Sequence, residues 1–275
     1  AKPFLKWAGS KKWLIPSLKR FLPEKFNAYY EPFLGSGAVF FALKPKNAHL
    51  SDFSDELILT YRTLVCHPEK IIKKLKMMRY NKSYYYMTRD SLKPKNNIEK
   101  AARFIYLNRT CWNGLYRVNR SGKFNVPIGR FDKPRICDAD NLKAVAKALQ
   151  GVVFKTCCFE DAVKGAKAGD FVFFDPPYIT GHKNNGFLAY NAKLFSWDDQ
   201  KRLVKVARQL NDKGCFVMIT NANHKAIRKL YLDFNIFRIK RQSVIAADIK
   251  NRGEVSELVI TNYPKHKKQP YDLEK

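Results

Sequence analysis

Acidic residues are scarce in this chain: 24 Asp and Glu stand against 52 Lys and Arg, a net charge of +28 over 275 residues. Histidine is scarcer still, with 5. The six cysteines, Cys66, Cys111, Cys137, Cys157, Cys158 and Cys215, include no Cys-x-x-Cys pair, and no His stands at zinc-finger spacing from a pair. That excludes the usual structural zinc patterns. Adjacent Cys157 and Cys158 do not readily bridge each other, so free thiols in a reducing cytosol are expected, in keeping with the missing secretory signal. No apolar run approaches the ~20 residues of a membrane-spanning helix. There is no internal repeat, and no low-complexity tract beyond the basic tail Lys265-His266-Lys267-Lys268.

Apolar residues make up 45% of the chain and aromatics 14%, enough for a packed core and too many for global disorder. The length suits one large domain or a core domain with an insertion. So basic a surface attracts polyanions, nucleic acid before an anionic membrane; a charge kept for solubility alone is the bland alternative.

Short β-rich runs occur at Ala28–Glu31, Ala48–Phe53, Val152–Thr156, Phe171–Asp175, Cys215–Asn221, Phe237–Val244 and Glu257–Tyr263. Helical patterns at Lys12–Phe21, Ser36–Leu43, Asp198–Asn211 and Lys225–Leu232 alternate with them. This order predicts an α/β fold: a mostly parallel sheet covered on both faces, with an antiparallel edge where the last two runs follow each other directly. The middle of the chain reads as helix (Asp55–Val65, Pro68–Met78, Ser83–Ser91, Glu99–Asn108, Asp138–Leu149), broken by a basic, loop-rich stretch at Arg109–Arg135. The expected organisation is a discontinuous core, residues 1–54 and 150–275, with a helical insertion at 55–149 that carries a hairpin loop at 109–135.

The most informative motif is Asp175-Pro176-Pro177-Tyr178, closing the apolar run Phe171-Val172-Phe173-Phe174. A carboxylate and a backbone carbonyl held by proline can accept both hydrogens of an amino group, while a tyrosine ring stacks on a flat heterocycle. That set suits methylation of the exocyclic amine of a nucleobase. Glu31-Pro32-Phe33-Leu34-Gly35-Ser36-Gly37 follows a strand and opens a helix; its glycines permit a tight turn and close approach of a ligand. It lacks the Gly-Lys-Ser/Thr of a phosphate-binding loop and the spacing of the dinucleotide motif. Asp52, in Ser51-Asp52-Phe53, ends the next strand, where an acid can bind ribose hydroxyls or merely cap a helix. Lys6-Trp7-Ala8-Gly9-Ser10-Lys11 can supply a cofactor wall with a charge for a carboxylate, or a core anchor. The segment Asn108–Asn119 and the following Gly122–Phe131 interleave Arg, Asn, Gly and rings, a composition fitted to reading bases and phosphates or to a solvated hairpin.

In this order, the motifs resemble the Dam family of DNA adenine-N6 methyltransferases, which methylate adenine in GATC, over nearly the whole chain. The resemblance implies a Rossmann-like methyltransferase core that uses S-adenosylmethionine. It implies a cofactor site of Trp7, Lys11, Glu31, Phe33, Gly35, Gly37, Asp52, Phe53, Phe159 and Asp175. It places the flipped adenine on Asp175, Pro176 and Tyr178. For DNA it implies Arg117 and Leu115 as base readers, Trp112 as an aromatic wedge, Asn113 as a nearby contact and Lys6 at the outer base pair. Arg109, Asn119, Pro127, Arg130 and Phe131 complete the DNA surface. Two positions depart from the pattern. Cys158 stands where relatives carry an acid, leaving a backbone group near Phe159 for the cofactor's adenine amine. Ser10 replaces a glycine, a mild change unless φ is positive there.

The expected partner is double-stranded DNA, with no metal and no membrane, for a monomer in the cytoplasm near the nucleoid. The rival readings are a catalytically inactive sequence-specific DNA-binding protein, an amine methyltransferase acting on another nucleobase or on RNA or protein, and a basic protein that uses ATP.

Overall fold

The computed structural model describes residues 1–119, 121–178, 195–242 and 254–264, with the backbone alone at 241, 242, 254 and 255. The basic tail at 265–268, and the end of the strand run drawn to Val244, lie outside these. Seven strands form one mixed sheet: β1 (Tyr29–Glu31), β2 (Ala48–Asp52), β3 (Val153–Thr156), β4 (Phe171–Phe174), β5 (Phe216–Ala222), β6 (Asn235–Gln242) and β7 (Glu254–Thr261), in the order β3-β2-β1-β4-β5-β7-β6. Pairs β1–β2, β1–β4 and β4–β5 are parallel; β7 runs antiparallel to both β5 and β6. The mostly parallel sheet with its antiparallel edge, expected from the alternation of elements, is therefore present, in the Rossmann-like form that the resemblance implies.

The chain divides into two compact units: residues 1–12, 34–44 and 52–156, and residues 13–33, 45–51 and 157–275. The first contains α2 (Ala38–Leu43), α3 (Asp55–Cys66), α4 (Pro68–Lys76), α5 (Lys82–Tyr86), α6 (Asn97–Thr110) and α7 (Ala139–Ala148). Side chains at the N-caps start most of these helices. Ser54 accepts from the Leu57 amide, Asn81 from Tyr84 at 2.8 Å and Asn96 from Glu99 at 3.0 Å. Buried Leu57, Ile58, Tyr61 and Leu64 of α3 and Ala101, Ala102, Ile105 and Tyr106 of α6 form the apolar faces. The helical pattern at Ser83–Ser91 is realised in two parts: α5, and then a π-helical turn over Met87–Ser91. The Arg103 guanidinium donates to the carbonyls of Thr88 at 2.9 Å and Arg89 at 2.7 Å, bonds that compete with α-helical pairing there. The hairpin expected within 109–135 is a looped segment with two isolated antiparallel bridges, Cys111–Ile128 and Val118–Phe124.

The second unit contains α1 (Ile15–Leu18), α8 (Phe159–Ala162), α9 (Trp197–Asp212), α10 (Lys225–Leu230) and the pairings among β1, β2, β4, β5, β6 and β7. One face of β4, β5 and β7 (Phe174, Ile219 and Leu258 among its residues) packs with Leu203, Val204 and Ala207 of α9 in an apolar core. A capping box joining Ser196 and Asp199 begins α9. Chain order reverses between β1 and β4, so the carboxyl ends of these neighbouring strands mark a topological switch point, where open α/β sheets bind ligands. Among the described residues no helix is long and apolar enough to cross a membrane.

Candidate active site

In the first unit the glycine loop is built around the Trp7 indole. Gly35 has φ 47°, and a Cβ there would lie 2.6 Å from Trp7 Cδ1, so only glycine lets the ring sit against the loop backbone. The Gly35 amide donates to Asp52 Oδ2 at 3.0 Å, and the Tyr61 hydroxyl donates to the Gly35 carbonyl at 3.1 Å. The other Asp52 oxygen accepts from the Ser54 amide at 3.0 Å. Burial raises the Asp52 carboxyl above the ordinary aspartate range, and backbone donors led by Gly35 partly oppose the shift. The Phe53 ring beside it is 83% exposed, a large apolar face open to a planar partner. Lys11 is buried and donates to the Gly9 carbonyl at 2.6 Å. Positive φ falls on Gly9 and not on Ser10, whose hydroxyl lies 2.9 Å from that of Ser36, so the serine at this position carries no backbone strain. Gly37, at φ 65°, caps α2.

In the second unit Glu31 ends β1, 2% exposed, and accepts the Tyr29 phenol at 2.9 Å. Phe33 stacks on Phe159 with centroids 5.7 Å apart and meets Phe195 edge-on at 5.6 Å. Asp175 follows β4 and accepts the Thr220 hydroxyl at 2.7 Å. Pro176 is buried. The Tyr178 phenol donates to Glu257 Oε2 at 2.7 Å. Burial, then Glu31 and Asp175, hold the Tyr29 phenol well above its usual range; burial, then Asp175 and Glu257, do the same to Tyr178. Acid is thus concentrated at the carboxyl ends of β1 and β4 in a chain of net charge +28. Such a spot favours a cation or a group rich in N–H donors. Cys158 lies at the start of α8, its thiol 3.2 Å from Asp161 Oδ2. Among the described residues no cluster of His, Cys, Asp and Glu is placed to hold a metal ion.

The expected DNA-facing residues all belong to the first unit. Trp112, Asn113, Arg117, Asn119, Pro127 and Arg130 are exposed, while Leu115 and Phe131 are half-buried. Asn113 adopts φ 53°, turning the chain after Trp112. The Lys6 ammonium lies 4.3 Å from the centroid of the Phe131 ring. Arg117 Nε donates to Asn125 Oδ1 at 2.8 Å. Asn119 Oδ1 accepts the Ser121 and Lys123 amides and shapes the loop tip. Arg109 is half-buried, with Nε donating to the Arg135 carbonyl at 2.9 Å. Residues to which the motifs assigned no individual role support these groups. Buried Asn108 clasps the Lys6 amide and carbonyl and the Gly114 carbonyl. Tyr116 stacks on Trp7 at 5.3 Å and donates to Glu56. Thr220 and Glu257 stand behind Asp175 and Tyr178. Glu257 had a readable signal, an acid inside the apolar strand Leu258-Val259-Ile260.

Residues 7–245 match the family model of the D12 class N6 adenine-specific DNA methyltransferases. The chain is 41% identical over 271 residues to the type II methyltransferase M1.LlaDCHI of Lactococcus lactis subsp. cremoris, covering 95% of each chain. It is 37% identical over 286 residues to the type II methyltransferase M.MjaIII of Methanocaldococcus jannaschii, covering 95% of this chain and 99% of that one. Identity to the DNA adenine methylase of Escherichia coli (strain K12) is 30% over 268 residues, covering 96% of each. The chain belongs to the D12 class of N6 adenine-specific DNA methyltransferases.

Proposed function

We propose that this D12-class enzyme transfers a methyl group from S-adenosylmethionine to N6 of an adenine rotated out of duplex DNA, within the sequence GATC. The observation that carries the reading is the Asp175–Tyr178 segment at the carboxyl end of β4, where Asp175 is anchored by Thr220 and Tyr178 by Glu257. When bound, S-adenosylmethionine supplies an electrophilic methyl on a sulfonium.

The donor set fits that cofactor. In the first unit, Asp52 presents a carboxylate for ribose hydroxyls, Phe53 an exposed ring for a purine, and Lys11 a cation for an amino-acid carboxylate. Trp7, Gly35 and Gly37 give the backbone its close approach. In the second unit, Glu31 supplies charge for an ammonium or sulfonium, and Phe33 with Phe159 an apolar wall. With Cys158 in place of an acid, a backbone group beside Phe159 serves the adenine amine.

At the target base, Tyr178 stacks on the ring. Asp175 and the Pro176 carbonyl accept the two N6 hydrogens, which turns the nitrogen lone pair toward the methyl. Asp175 acts by position and charge, so its orientation matters more than its basicity. Extruding the adenine costs a few kcal/mol, offset by stacking and hydrogen bonds in the pocket. In the loop, Arg117 and Leu115 read bases, Trp112 enters the stack, and Asn113 and Lys6 contact flanking positions. Arg109, Asn119, Pro127, Arg130 and Phe131 shape or extend that surface. Charge of +28 also predicts affinity that falls steeply with salt.

The enzyme is offered labelled S-adenosylmethionine with two duplexes, one containing GATC and one with that site scrambled. Label on adenine N6 of the GATC duplex alone supports the whole reading. Equal label on both removes the assigned sequence and keeps the reaction. DNA binding without label on either removes the reaction from the reading.

A further inference from the structure

Strand parity places a second layer of polar groups beneath the Asp175–Tyr178 segment. Phe174, Ile219 and Leu258 face the core shared with α9. Their chain neighbours Asp175, Thr220 and Glu257 therefore point to the opposite face of the sheet. Register then brings them together: Phe174 pairs with Ile219, which sets Thr220 beside Asp175, and Ala222 pairs with Glu257 on antiparallel β7. The Thr220 hydroxyl, wholly buried, donates to Asp175 Oδ1 at 2.7 Å, and the Tyr178 phenol donates to Glu257 Oε2 at 2.7 Å.

Glu257 is 3% exposed. Burying a carboxylate that deeply is costly, and apolar residues of similar volume would pack at least as well. Stability alone does not account for an acid there. A carboxylate does provide a strong, directional acceptor. Burial, followed by Asp175 and Glu257, keeps the phenol protonated and so always a donor. Ring stacking depends on the plane of Tyr178, and capture of N6 depends on the rotation of the Asp175 carboxylate. Each is held by a bond from outside the motif, and Thr220 also bonds the Tyr178 phenol.

We infer that Glu257 and Thr220 are positioning residues for methyl transfer, Glu257 setting the ring of Tyr178 and Thr220 setting the carboxylate of Asp175. This rests on the reading that Asp175 and Tyr178 hold the target adenine.

The test combines three readouts on Glu257→Ala, Glu257→Gln, Tyr178→Phe and the Glu257→Ala, Tyr178→Phe double variant. They are the single-turnover transfer rate at saturating cofactor and duplex, the duplex affinity, and the fluorescence of a duplex with 2-aminopurine at the target position. Glu257→Ala is expected to slow transfer about 10–100-fold through misplacement of the ring. Duplex affinity should stay within about 2-fold, because phosphate contacts dominate it. The 2-aminopurine signal should change, since the ring that stacks on the extruded base is loosened. Glu257→Gln should recover most of the rate, its amide oxygen still accepting the phenol. Tyr178→Phe should match Glu257→Ala, and the double variant should be no more than about 2-fold slower than either single one. Tyr178→Phe drops the same bond, together with the phenol's bond to Thr220, without touching residue 257, so the inference stays testable if Glu257→Ala does not fold. At the other pair, Thr220→Val should slow transfer and Thr220→Ser restore it. Independent, multiplying losses at 257 and 178 would overturn the inference, as would a normal rate in Glu257→Ala while Tyr178→Ala is slow. A normal rate in Tyr178→Ala would instead remove the role given to Tyr178, and this inference with it.

Discussion

The loop at 109–135 and the carboxyl end of the sheet hold their side chains by different means. Around β4, β5 and β7 the backbone satisfies itself in a ladder, and Asp175 and Tyr178 project from its end. In the loop, backbone pairing is limited to short stretches such as Trp112 with Pro127 and Asn119 with Lys123, and side chains from residues before it in the chain hold further carbonyls. Tyr80 donates to the Gly129 carbonyl at 2.6 Å, Tyr85 and Arg89 to Val126 at 2.8 and 3.1 Å, and Asn108 to Gly114 at 3.2 Å. A ladder fixes positions collectively and tolerates single changes away from its end. A loop pinned by separate side chains can be retuned one pin at a time while the chemistry is left alone. That division matches the proposed separation of methyl transfer from sequence reading. The named relatives, type II methyltransferases beside DNA adenine methylases, are similar along almost the full length of this chain.

The sharpest break should come at Asp175. Asp175→Ala is expected to lower transfer by at least about 10²–10³-fold, the usual cost of losing one preorganised polar group at the reacting centre. Rapid-quench assays check this. Next comes Asp52→Asn, expected to weaken S-adenosylmethionine binding about 10–100-fold, as for loss of hydrogen bonds to a charged group. Isothermal titration reads this directly. The same variant carries a pH signature. Burial raises the Asp52 carboxyl in the folded state, so its contribution to stability is full below the unfolded value and is lost as pH rises through the folded one. Asp52→Asn should therefore raise thermal stability more at pH 8 than at pH 4, and cofactor affinity of the unmodified enzyme should begin to fall at a higher pH than for an ordinary aspartate.

Within the loop the effects are smaller. Arg117→Ala should cost about 1–3 kcal/mol on the cognate duplex and relax selectivity at one base pair. Equal loss on all duplexes would make it a phosphate contact. Gly114 and Gly122 test the pinning. Both have positive φ, but a Cβ at 114 would collide with the Lys6 side chain while 122 faces open space. Gly122→Ala should cost about 1–2 kcal/mol of backbone strain, and Gly114→Ala more, with altered DNA selectivity as Lys6 moves. Thermal denaturation and competition binding separate the two. Thiol chemistry should show the smallest effect. Burial pushes the Cys111 thiol up to about 12, whereas Cys66 is exposed. Alkylation at pH 8 should label Cys66 and spare Cys111, with little change in transfer; mass spectrometry of the modified chain reads it.

Much of the sheet was legible because period and punctuation agree. Apolar runs such as Phe171–Phe174 are bounded by Gly and Pro, and helical patterns lie between several of them. The Ser83–Ser91 region was not legible as a π-turn, since the guanidinium that reshapes it comes from Arg103, distant in sequence. The 109–135 loop reads as a hairpin by composition, yet its shape follows in part from Tyr80, Tyr85 and Arg89, which no local pattern ties to it. At the site, motif residues announce themselves through glycine, proline and acid at strand ends. Their supports do not: Thr220 is an ordinary strand residue, and Glu257 stands out only as an acid among Leu258, Val259 and Ile260. Pairing across β4, β5 and β7 gives both their meaning.

The separation of chemistry from recognition is tested most directly by the affinity of Asp175→Ala for the GATC duplex relative to the scrambled one, at fixed salt. The ratio is expected to match that of the unmodified enzyme although transfer is lost. A ratio that collapses toward one would place recognition in the sheet-end site and contradict the division between the two regions.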